Sequence, residues 1–271
     1  MSIYDKITSD IIAKMDEGII PWHKPWNGGK YNRISKTEYS FLNQLLLPYD
    51  GEYATFKQWN SIGGKIKKGA KASYVVFWNI IRKKDEKDNE TENEIIIPIL
   101  RYYNVFHISQ VVGVESLDNM NKKEKSKNSE DVIKNYFERE TCKLEVEKRN
   151  SAFYNIQRDE IHVPNFNQYI DRDEYYSTLF HEMIHSTGAC SRLNRLHSSS
   201  FGDDSYCKEE LIAEIGSAML CGICKLDSKK TFKNSVAYLQ GWKSKLKEDS
   251  HLIINAASKA EKAVKYILNE S

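Results

Sequence analysis

The stretch His181-Glu182-Met183-Ile184-His185 constrains this chain more than any other, and it lies within a longer run from Asp171 to Gly188. Asp171 followed by Glu174 has the form of a capping box, and Gly188 that of a C-terminal stop, so the run predicts one helix. Tyr176, Leu179, Phe180, Met183, Ile184 and Thr187 recur at helical spacing and predict a face turned to the core. His181 and His185 stand four apart on the other face, where side chains are about 5–6 Å from one another. Two imidazoles so placed can grip one divalent ion. Glu182, one step round, can then hold and deprotonate a water on that ion. Zinc is the default by the Irving–Williams order, with manganese or cobalt as alternatives.

A third ligand is expected downstream, on a helix starting near Ser205 whose core stripe is Leu211, Ile215, Ala218 and Met219. Glu210 and Glu214 share another face, and Glu209 is turned about 100° from Glu210. Ala213, Gly216 and Ser217 are small enough to let a second helix come close. That brings a carboxylate to the two histidines and leaves a fourth position open to water. Glu210 is the expected ligand. Glu214, one turn on, is expected to accept a hydrogen bond from a ligand histidine and fix its tautomer, with the exchanged assignment as the alternative. Tyr206, one turn before Glu210, can donate its hydroxyl to a tetrahedral oxyanion, or simply pack.

Charge divides the chain. The first 84 residues hold 14 Lys/Arg against 7 Asp/Glu, while the whole 271-residue chain is only +2. A basic front half points to an anionic partner, of which nucleic acid is the commonest. Two stretches there suit single-stranded DNA. Pro21-Trp22-His23-Lys24-Pro25-Trp26 holds two rings beside a cation on a stiffened backbone. Further on, Lys57 and Trp59 lead into a glycine turn with Lys65, Lys67, Lys68 and Lys71, then a strand with Tyr74 and Trp78. The competing reading is two core-capping tryptophans and a solvated lysine loop. Gly63-Gly64 lacks the spacing of a phosphate-binding P-loop.

Residues 115–131 are polar, almost free of apolar side chains, and read as a linker between domains at 1–114 and 132–271. Arg82–Glu94 reads as a charged hairpin tip, and Pro98 argues for an edge or a bulge in the strand after it. In the second domain, Phe153–Val163 reads as a strand just ahead of the metal helix, where an edge strand can pair with an extended substrate. Five cysteines fit no disulfide framework in a chain this long, and Cys221-Gly222-Ile223-Cys224 reads as two small core residues. No apolar run approaches the ~20 residues of a membrane span, and the start lacks a signal-peptide core. A reduced cytoplasm is therefore the expected location, with no membrane partner.

Several of these motifs together resemble a known family. Pro21-Trp22 with Pro25-Trp26, Tyr39 with Asn43, Thr55-Phe56-Lys57 ahead of Gly63-Gly64, and Val105-Phe106 with Gln110 are similar to the N-terminal single-stranded-DNA-binding domain of ArdC-like antirestriction proteins. The run around His181–His185 and Glu209-Glu210-Leu211-Ile212-Ala213-Glu214 resembles the zincin-like metallopeptidase domain of the same family. The second of these also resembles the ligand helix of lethal-factor-type zinc peptidases, which implies Glu210 as ligand and Glu214 as support for a histidine. The resemblance spans nearly the whole chain. It implies an α+β protein of a plasmid or other mobile element that shields incoming DNA from restriction. His107, where many relatives have Asn, and the long charged insert depart from the pattern. Two functions compete: a DNA-tethered metallopeptidase acting on a protein or peptide, and a DNA-occupying protein whose metal site does no hydrolysis.

Overall fold

A computed structural model describes residues 2–23, 29–84, 94–117, 126–196, 204–226 and 236–270. The chain forms two compact α+β units, Met1–Ile7 with Gly28–Asn121 and Thr8–Asn27 with Lys122–Ser271. The sequence expectation kept residues 1–114 together; the second unit instead takes in Thr8–Asn27. Helix α1 (Ile3–Asp16) buries Ile7, Ile11 and Met15, four residues apart on one face. It stops at Gly18, whose φ of 78° is the left-handed conformation that glycine adopts without strain.

The first unit continues with β1 (Lys30–Asn32), α2 (Phe41–Leu46), β2 (Gly51–Ala54), α3 (Phe56–Ser61), β3 (Lys65–Ile66), β4 (Ser73–Lys84), β5 (Glu94–His107) and β6 (Val111–Val112). Four strands form a sheet in the order β1-β2-β5-β4, parallel only between β1 and β2, and β3 pairs with β6. Lys65 therefore belongs to a strand and not to the turn expected there. Tyr39, Leu47, Tyr53, Val75 and Val105 make one core cluster. Asn43, buried on α2, receives the Val76 N–H at 2.7 Å and donates to the Val76 carbonyl at 2.9 Å, as another strand would along the edge of β4. Pro98 pairs only with β4, as an edge position requires.

The second unit adds α4 (Ser129–Arg139), β7 (Lys143–Glu147), β8 (Phe153–Asn155), β9 (Glu160–Pro164), α5 (Arg172–Ser186), α6 (Asp204–Ile223), α7 (Val236–Glu248) and α8 (Leu252–Leu268). The single strand expected over Phe153–Val163 is a hairpin, broken by a turn in which Asp159 takes a φ of 54°. The sheet order is β7-β9-β8, so β9, the strand just before α5, is central, and the edge within the expected stretch is β8. The expected linker is also shorter than its composition suggests. Ser116 and the Leu117 N–H donate to buried Glu52, and α4 begins at Ser129 behind an Asn128 cap; residues 118–125 lie outside the described ones. Among the described residues no helix is long and apolar enough to cross a membrane.

Candidate functional site

Helix α5 forms for the predicted reasons, with one variation at its cap. Asp171 accepts the Glu174 N–H at 3.0 Å, but Glu174 reaches back to the Ile170 N–H at 2.8 Å, one residue beyond the capping-box partner. Tyr176, Leu179, Phe180, Met183, Ile184 and Thr187 are all buried, which turns His181 and His185 outward. Gly188, expected as the helix stop, does not take the left-handed conformation; it leaves room for Leu196, which a Cβ there would meet at 2.8 Å.

Against α5 lies α6. A Cβ on Gly216 would stand 2.6 Å from Ile184, and Ser217 donates to the Ser177 carbonyl at 2.8 Å. The small residues thus set the helix separation, and that separation delivers Glu210. Its two oxygens lie 3.5 Å from Nε2 of His181 and 3.5 Å from Nε2 of His185, and the two Nε2 atoms are 3.1 Å apart. One oxygen of Glu210 and the two imidazole nitrogens form a triangle with no edge longer than 4.8 Å, and donors on a tetrahedral ion with bonds of about 2.0–2.1 Å stand about 3.3 Å apart, so a small closing of the carboxylate would suit one divalent metal. Among the described residues, His181, His185 and Glu210 are the group so arranged. Glu214, one turn on, is outside that triangle but adds its negative charge at His181.

The electrostatics follow from crowding cations and carboxylates. Burial works against charge on His181, yet the Glu210 hydrogen bond and the charges of Glu182 and Glu214 prevail and raise it to about 9. Burial likewise works to raise Glu210, but the two imidazoles and the Tyr206 hydroxyl hold it down at about 2. Burial and its bond to Glu210 push Tyr206 up to about 12, so the phenol is a donor at neutral pH. Glu182 is buried, beside the triangle, on the same helix as both histidines.

Two residues of this site were not singled out in the sequence. Glu209, 8% exposed, lies 3.6 Å from Nδ1 of His185. Arg195 binds that carboxylate through two nitrogens, at 2.8 and 3.3 Å, and also donates to the Ile184 carbonyl and to Thr187. Burial opposes ionisation of Glu209, while His185 and Arg195 hold its pKa below the usual carboxylate range. Glu209 thus faces Nδ1 of His185, while Glu214, expected to support a ligand histidine, acts electrostatically at His181. The adjacency of two glutamates was the only signal, because a contact between a loop and a helix leaves no periodicity.

The residues expected to hold DNA are distributed differently. Trp22 is fully buried, edge-to-face with Trp242 at 6.3 Å, and Trp59 is fully buried with its indole donating to the Phe106 carbonyl at 2.9 Å. Neither ring offers a face to a base; both are core, because a closed packed ring cannot stack on a ligand. Lys24 and Trp26 lie outside the described residues. Lys57, Lys65, Lys67, Lys68 and Lys71 are all exposed, Lys67 donating to the Ser109 carbonyl at 2.7 Å. Tyr74 is half-buried under the Lys6 ammonium, 4.2 Å from its ring centre. His107 is structural: its ring nitrogens meet the Asp50 carbonyl and Ser109. Burial pushes the Cys221 thiol up to about 12, as befits a core residue.

Comparisons with known proteins cover both units. Residues 1–106 match the family described as the N-terminal domain of anti-restriction factor ArdC, and residues 131–259 the family described as zincin-like metallopeptidase. The metal-free crystal structure of antirestriction ArdC protein from the R388 plasmid is similar with a TM-score of 0.77 and 32% identity, over 100% of both chains. The Mn(II)-bound structure of that protein gives 0.79 and 31%, over 99% of this chain and 98% of the other. A DNA primase TraC of Escherichia coli is 27% identical over 98% of this chain, which spans only 27% of the primase's length. A second TraC primase of Escherichia coli is spanned over 20% of its length. The uncharacterized protein y4eC of Sinorhizobium fredii is 28% identical, over 96% of this chain and 89% of its own.

Proposed function

Because this chain belongs to the ArdC antirestriction family and carries that family's zincin-like domain, we propose that it binds single-stranded DNA and hydrolyses peptide bonds at a divalent-metal site. The observation that carries the hydrolytic half is the triangle of His181, His185 and Glu210 with buried Glu182 beside it. A site serving structure alone has no need of a general base, and a carboxylate buried there without a task would be a net cost. The Mn(II)-bound relative supports a divalent ion. Zinc is the proposed native metal, from the nitrogen and oxygen donor set and the Irving–Williams order.

In this reading His181, His185 and Glu210 hold the ion, and Glu209 with Arg195 holds the His185 ring in place. A divalent ion bound there supplies Lewis acidity, lowering the pKa of water and polarising a carbonyl. Glu182 takes the proton from the attacking water and passes it to the leaving amine. Tyr206, kept protonated, donates to the oxyanion that develops on the former carbonyl. The lysines from Lys57 to Lys71 supply phosphate contacts for the DNA. Protection of incoming DNA of a mobile element, inside the cytoplasm, is the role that joins the two activities.

The test is the Glu182→Gln variant assayed on a peptide library with single-stranded DNA present. It should keep metal and DNA binding while losing hydrolysis. Cleavage that survives the change refutes the mechanism, and a wild-type protein that protects DNA no better than Glu182→Gln would assign protection to occupancy alone.

A further inference from the structure

One face of the first unit's sheet carries a groove of about 530 Å³. Alternation along β4 puts Val75, Phe77 and Asn79 on that face, and register with β5 sets Tyr103 and Val105 beside them. Phe77 and Tyr103 are 45% and 41% exposed, with ring centres 5.9 Å apart, and Tyr39 stands 6.4 Å behind Phe77. Three primary amides reach the same groove: Asn32, Gln58 and Asn79. The Gln58 oxygen is fixed by the Thr55 N–H in the cap of α3, and the Asn32 oxygen by two turn N–H groups. Among the described residues no carboxylate lines the groove, and Arg101, paired with Phe77 across the strands, is exposed on the same face.

Open aromatic faces beside amides are the chemistry that reads single bases. A ring face stacks on any base, and an amide offers a donor and an acceptor side by side to the base's edge. An uncharged groove flanked by an arginine admits an anionic strand and leaves its phosphates outside.

We propose that this groove takes an unstacked base of single-stranded DNA, stacked on Phe77 and Tyr103 and bonded at its edge by Asn79. This rests on the reading that the first unit binds single-stranded DNA. Paired bases of a duplex, stacked within the helix, cannot enter.

The full-length protein is titrated, by fluorescence anisotropy, with a labelled oligothymidylate and with an abasic strand of equal length. The wild type should prefer the strand with bases. Phe77→Ala should weaken oligothymidylate binding roughly five- to 150-fold, the range for one stack removed, and leave the abasic strand unaffected. Asn79→Ala should weaken it less and in the same selective way. Equal wild-type affinity for the two strands, or variants with unchanged affinity for oligothymidylate, would overturn the groove while leaving single-strand binding intact. A wild type that binds neither strand would remove both readings together.

Discussion

Oε1 of Glu209 lies 3.6 Å from Nδ1 of His185, and the Arg195 guanidinium holds that same oxygen at 2.8 Å. An acceptor facing Nδ1 favours the tautomer whose Nε2 lone pair is free for a metal, and Nε2 is the atom turned towards His181 and Glu210. Since Arg195 also binds the Ile184 carbonyl near the end of α5, the orientation of the His185 ring is built into the end of its helix.

Glu209→Gln should therefore loosen the metal without unfolding the protein. Competition with a chromophoric chelator should show affinity reduced about 10- to 100-fold, and Glu214→Gln should reduce it less. Equal losses at the two positions would return the supporting role to Glu214.

Acid should release a specific clamp. Arg192, whose side chain is 1% exposed, binds Asp159 and the Ser186 carbonyl, tying the β8–β9 turn to the end of α5. Burial works to raise the Asp159 carboxyl, but hydrogen bonds from Arg192, Tyr154 and Thr141 bring it down from 3.8 to about 2. A folded-state value below the unfolded one stabilises fully above about 3.8 and is lost as pH falls through about 2. Melting temperature should drop across that window, and Asp159→Asn should lower it at neutral pH while flattening the drop. An unchanged acid profile in the variant would show that the clamp carries no linkage.

Lys68 and Lys71 are exposed on the first unit. If they meet phosphates, replacing either with alanine should weaken single-strand binding alike for all sequences and reduce the salt slope by about 0.7 for each phosphate no longer neutralised. A slope that does not move would mean the two lysines only solvate the loop.

Trp59→Ala removes a fully buried ring that also donates a hydrogen bond. The expected loss is about 3–5 kcal/mol of stability, visible in denaturant unfolding. Loss of DNA affinity in a variant that is still fully folded and equally stable would restore the ring as a stacking platform.

How much was legible depended on whether the signal ran along one element. The spacing of His181 and His185 opposite an apolar stripe was complete within one helix, and so was the run of small residues that lets α6 approach. The partnership of Glu209 with Arg195 and His185 joins two helices and a loop, and no local pattern encodes it. Trp22 and Trp59 misled for a related reason: a tryptophan beside lysines looks the same in sequence whether its ring faces solvent or core. The groove of Phe77 and Tyr103 was missed because those residues are 26 apart in the chain and meet only through the β4–β5 register.

The most direct measurement is the metal content of the untagged protein after incubation with zinc or manganese, by mass spectrometry, beside His181→Ala and Glu210→Ala. The account predicts about one equivalent in the wild type, lost or greatly reduced in both variants and retained in Glu182→Gln. A wild type that takes up no metal, or a Glu210→Ala variant that keeps its full equivalent, would contradict it.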